Sequence, residues 1–164
     1  MARAIATEAE RLEAVWHVVY EYANLISSGE LLREQFRLPI NTHLQDAFLL
    51  NCRKMADFFA QNRKKDDVIA EDFTASRVDF DLSFWETWSE AMDKQLAHIT
   101  YTRVRNPKGW DGSANEPLLK EFRSACTKFL DSLAEPFKSR FEQEIRTRQR
   151  SGDGFENLDL GIAL

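Results

Sequence analysis

Residues 41–62 read NTHLQDAFLLNCRKMADFFAQN, and the fold turns on them. Leu44, Phe48, Cys52, Met55 and Phe59 recur at alternating spacings of four and three, the period of one helix face. Leu49, Leu50 and Phe58 widen the apolar surface, so the sequence predicts a helix packed on more than one side. Asn41 or Thr42 is placed to cap its start. Opposite the core stripe, His43, Asp46, Leu50, Arg53 and Asp57 share one face at about 100° per residue.

Working outward, the same periodicity recurs on both sides. Ile5, Ala9, Leu12, Trp16, Val19, Ala23 and Ile26 predict a helix over about residues 4–27, ended by SSG at 27–29. A short segment around ELLREQF breaks before Pro39. Residues 63–82 read as a connecting arm with one helical turn, packed over the bundle through Val68, Ile69, Phe73 and Val78. A third helix is expected from Ser83 to about Arg105, with Trp85, Trp88, Met92, Leu96 and Ile99 inward. Residues 106–117 form a loop by their Pro, Gly and Asn content, and Asn115 is the expected cap of a fourth helix. That helix carries Leu118, Leu119, Phe122, Cys126, Phe129 and Leu133, and Pro136 kinks or restarts it before Arg150. The sum is an all-α, four-helix bundle with a kinked or split last helix. It is one domain over residues 1–150, followed by a tail at 151–164. Helices 2 and 3 are expected at its centre, with Phe48, Met55, Phe59, Trp85 and Trp88 largely buried.

Composition narrows the function classes. The chain has 164 residues, 43% apolar and 30% charged, which is ordinary for a soluble globular protein. No apolar run approaches the roughly 20 residues that span a bilayer, and the first residues carry charge rather than a signal-type apolar stretch. A cytoplasmic protein without a membrane partner is the expectation. Cys52 and Cys126 sit among apolar residues without a second Cys or His at metal-ligand spacing. They read as reduced core thiols, and neither a metal nor another cofactor is expected. A net charge of −5 argues against a general polyanion binder. RKK at 63–65 and RTRQR at 146–150 read as solvated surface.

His17, among Glu10, Glu13 and Glu21, reads as a surface residue. The His43, Asp46, Arg53 and Asp57 face suits either of two roles. It can hold a phosphate or a catalytic water, or it can be a charge ladder in solvent. His98 falls beside the third helix's stripe with Phe84, Ala91, Gln95 and Thr102, the mixed character of an interface or pocket edge. Arg103 falls on the stripe itself at the helix end, where it meets terminal carbonyls or points into a cleft. The two are about 140° apart, so they do not pair directly but can border one groove. Without a Gly-rich phosphate loop, HExxH or GxSxG, catalysis would rest on His with Arg. That pair can cleave RNA without a metal, His moving the proton and Arg stabilising the phosphate.

The stretches HLQDAFLLNCRKMADFF, DDVIAEDF and MDKQLAHITYTR together resemble the HEPN superfamily. More narrowly they resemble bacterial HEPN-like proteins related to abortive-infection components, over about residues 40–105. The resemblance implies a helical bundle, frequent homodimerisation, metal-independent ribonuclease activity in many members, and a role in toxin–antitoxin or phage-defence systems. The family's ribonuclease signature is an Arg, four to six residues, then a His. Ahead of His98 those positions hold Ala91, Met92 and Asp93. Arg11–His17 and Arg37–His43 match the spacing, although the second crosses Pro39. The leading expectation is therefore a HEPN-like bundle acting through association, as a homodimer or with a protein partner such as an antitoxin. The alternatives are a ribonuclease acting on RNA through His98 with Arg53 or Arg103, and a sensor holding a small anion or nucleotide between helices 2 and 3, with His43, Asp46 and Asp57 as the binding candidates.

Overall fold

Thr7 and Glu10 start the first helix by reciprocal bonds. The Thr7 hydroxyl accepts the Glu10 N–H at 3.2 Å, and the Glu10 carboxylate accepts the Thr7 N–H at 2.6 Å. The structure is a computed structural model and describes residues 6–34, 36–61, 67–92 and 112–150. Among them the helices are α1 (Glu8–Leu31), α2 (Ile40–Ala60), α3 (Ser83–Met92), α4 (Asn115–Asp131) and α5 (Phe137–Arg150). No strand occurs among the described residues; Thr74 and Leu133 form an isolated bridge. The all-α bundle is thus as expected, with its last helix split at Pro136. No helix among the described residues is long and apolar enough to cross a membrane.

The α2 stripe lies inward as its periodicity predicts. Phe48, Leu49, Cys52, Met55, Phe58 and Phe59 are all buried. Helix α2 packs on α1, α3 and α4, while α1 also packs on α4 and α5. So α2 is central, and α1 rather than α3 is its principal neighbour among the described residues. Trp85 and Trp88 are accordingly only half-buried.

Helix α1 differs from expectation in two ways. Its buried stripe is Val15, Val18, Val19, Tyr22, Ala23, Leu25 and Ile26, so Val19, Ala23 and Ile26 face inward as expected, while Val15 takes the place expected for Trp16. Trp16 is 41% exposed and stacks on Tyr20, with ring planes 5° apart and centroids at 5.3 Å. The guanidinium of Arg148 lies 5.0 Å from the Trp16 ring and 5.4 Å from the Tyr20 ring. This cation–π contact clamps α5 onto α1 and lets a large aromatic stay at the surface. The helix also runs through SSG rather than stopping there. The Ser28 hydroxyl donates to the Asn24 carbonyl at 2.6 Å, which satisfies it inside the helix. Gly29 is where α1 meets α2 and α4. A Cβ there would stand 3.0 Å from the Phe48 ring and 3.1 Å from Leu119, so the missing side chain permits close packing rather than a turn.

The caps and the arm also carry corrections. Pro39, not Asn41 or Thr42, precedes α2, and no side chain caps that end. Asn115 is the first residue of α4 and pairs its amide with α2: Gln45 donates to it at 3.1 Å, and it donates to Gln45 at 2.9 Å. The arm packs over the bundle through Ile69, Phe73 and Val78, while Val68 is exposed, and it contributes a core residue. Phe73 is fully buried, with ring contacts to Phe58, Phe129, Phe137 and Phe141. Leu96 and Ile99 of the expected third helix, the RKK run and the tail at 151–164 lie outside the described residues.

Candidate functional site

Of the expected site residues, the structure brings four onto one face. His43, Asp46, Arg53 and Asp57 are exposed along the outer side of α2, and Leu50 among them is 49% exposed. The inward stripe fixes this orientation: burying Phe48, Cys52, Met55 and Phe59 turns residues 43, 46, 50, 53 and 57 outward. The face is a ridge of mixed charge around one apolar side chain. It carries no buried acid or base. His98 and Arg103 lie outside the described residues.

Beside this ridge runs a hollow of about 400 Å³ between α1 and α2. Leu31, Leu44, Ala47 and Leu50 give it an apolar wall, and Asn24 and Asn51 give it polar lining. The Lys54 ammonium meets Glu21 at 2.8 Å in the same hollow, tying the two helices. Further apolar side chains are exposed at the end of α1, in the link and at the start of α2. Leu31 is 40% exposed, Phe36 39%, Leu38 78% and Ile40 55%. Sequence reasoning passed over these residues. Their signal was present in the link FRLPI, where apolar residues alternate with Arg37 and Pro39 in a segment with no core to face.

The basic run at 146–150 divides by helical phase. Arg148 is buried beside Glu144, at 3.4 Å, and Arg140 reaches the same carboxylate at 3.3 Å. Arg146 and Arg150 are exposed on an open face that also carries Glu142, so positive charge there is partly offset. His17 is exposed, with its ring edge-on to Trp16 at 4.7 Å. Both cysteines are buried. Burial pushes the Cys126 thiol up to about 12, partly offset by a hydrogen bond with Tyr22, and pushes Cys52 well above the usual thiol value. Neither is a nucleophile at neutral pH. Among the described residues, no group of three His, Cys, Asp or Glu side chains is placed to hold a metal ion.

No protein family, curated protein or solved structure matches the chain. What the geometry defines is a class: an all-α bundle with a mixed-charge ridge on α2 and an apolar-walled hollow between α1 and α2.

Proposed function

We propose that this protein acts by association, docking through the outer side of α1 and α2 onto a second copy or another protein. The setting implied by the HEPN-like resemblance is a toxin–antitoxin or phage-defence module, in which such docking holds an activity in check or assembles it. One observation carries this reading: Leu31, Leu44, Ala47 and Leu50 form an apolar wall along the hollow between α1 and α2, with Leu31 40% and Leu50 49% exposed. Single exposed apolar residues are ordinary, but apolar side chains lining one shared hollow favour an interface. Its charged flank, with His43, Asp46, Arg53 and Asp57, supplies the polar rim that interfaces carry around an apolar centre.

The test is light scattering on the wild-type chain beside a Leu31→Glu, Leu50→Glu double variant. Both positions are exposed, so helical circular dichroism should not change. The wild type should show more than one chain's mass and the variant a single chain's. A variant of unchanged mass contradicts docking through this side, and a monomeric wild type contradicts self-association.

A further inference from the structure

The association reading leaves open what covers the outer face of α2, and its charge order answers that. We infer that this face pairs with the same face of a second copy, laid antiparallel about a two-fold axis at Leu50. The inference rests on the association reading and adds the partner and the register.

Across such an axis, a residue some number of places after Leu50 opposes the residue the same number before it. Asp57 is seven residues after and His43 seven before, so each His43 faces the other copy's Asp57. Arg53 is three after and Asp46 four before, so each Asp46 comes within about 1.5 Å of register with Arg53 opposite. The lateral positions agree as well. Taking Leu50 as zero, Asp46 and Arg53 lie about 40° and 60° to the same side, and His43 and Asp57 lie about 20° from the midline. All four residues are exposed, and Leu50 stands on the axis as an apolar centre. Symmetry makes each contact twice, giving four pairs of acid with base and none of like charge.

Other arrangements of the same face are disfavoured by the same residues. A parallel pair would bring Asp46 level with Asp46 and Arg53 level with Arg53, and would set neither opposite a group of the other charge. Sliding the axis by about two residues toward the N-terminus opposes His43 to Arg53. Sliding it about as far the other way opposes Asp46 to Asp57. Like charges in contact across an interface are costly, so the pattern specifies one register.

Charge reversal tests this directly. Residues 46 and 53 are about 10.5 Å apart along one helix, two turns, so a rescue seen in the dimer mass at unchanged melting temperature acts across copies. In sedimentation velocity, Asp46→Arg and Arg53→Asp should each weaken the dimer more than about tenfold. The double variant Asp46→Arg, Arg53→Asp should return it to near wild type. Leu50→Cys, mildly oxidised, should run as a covalent dimer on a non-reducing gel, because the native Cys52 and Cys126 are buried and do not compete. A dimer indifferent to the single reversals, unrescued by the double, or not crosslinked in the Leu50→Cys variant overturns this register while association stands. A wild-type monomer overturns the inference and leaves only association with another protein. A mixed complex with an unrelated protein, insensitive to these variants, also overturns it.

Discussion

Removing the Phe73 ring is the sharpest perturbation of the fold, because this residue comes from a connecting arm yet sits at the meeting of three elements. Its ring is fully buried, with near-perpendicular contacts to Phe137 at 5.5 Å and Phe141 at 5.4 Å of α5, and to Phe129 of α4 at 6.2 Å. Phe58 of α2 completes the cluster. Deleting a core phenylalanine costs about 3–5 kcal/mol, more where the surroundings cannot collapse into the space. Here they are held. The Ala134 N–H donates to the Phe73 carbonyl at 3.0 Å, the Asp72 carboxylate accepts the Ile69 N–H at 3.0 Å, and Arg11 donates to the Asp72 carbonyl at 3.0 Å. Phe73→Ala should therefore cost about 4 kcal/mol, a large part of the roughly 5–15 kcal/mol that holds a domain folded. In urea that is a midpoint shift of about 2 M, and in a thermal scan about 8–16 °C. Phe73→Leu should cost under about 1.5 kcal/mol, and Val68→Ala, at an exposed arm position, under about 0.5 kcal/mol. A Phe73→Ala cost below about 1.5 kcal/mol would refute the arm as part of the core.

Three further outcomes follow from the structure. Gly29→Ala gains about 1 kcal/mol of helix propensity but must displace Phe48 and Leu119, both essentially unexposed, at an overpacking cost of about 1–3 kcal/mol; the melting temperature should fall by about 2–4 °C, and a rise would mean those neighbours yield. Cys52 and Cys126 should not react with a thiol-specific disulfide reagent at pH 8 in the native chain, since both thiols are buried and stay protonated well above that pH. Both should react once the chain is unfolded in denaturant, and rapid native labelling would contradict the packing. RNA incubated with the wild-type chain in a metal chelator should stay intact; cleavage lost on His98→Ala at unchanged melting temperature would instead support the ribonuclease reading.

Much of the fold was legible because its central helices bury one face each. Phe48, Cys52, Met55 and Phe59 in α2, and Leu118, Phe122, Cys126 and Phe129 in α4, declare themselves by spacing alone. Trp16 was misread because periodicity cannot show that Arg148, more than 130 residues away, gives its ring a surface partner. SSG looked like a stop because local signals omit tertiary contact. Gly29 serves an approach of three helices, and Ser28 finds its acceptor within the helix. Phe73 carried no periodic signal in its short arm, so its burial depended on contacts that form only in three dimensions. The outer face of α2 was readable as a face, since His43, Asp46, Arg53 and Asp57 follow from the same helical phase as the core. The exposure of Phe36, Leu38 and Ile40 was not, because they belong to a link without a repeating pattern.

Association through the α1–α2 side is the claim on which the functional account stands, and the mass of the native chain tests it most directly. Sedimentation equilibrium of the wild-type protein at micromolar concentration should give a species of twice the 19.1 kDa of one chain, dissociating on dilution. A single species of 19.1 kDa throughout would contradict the account.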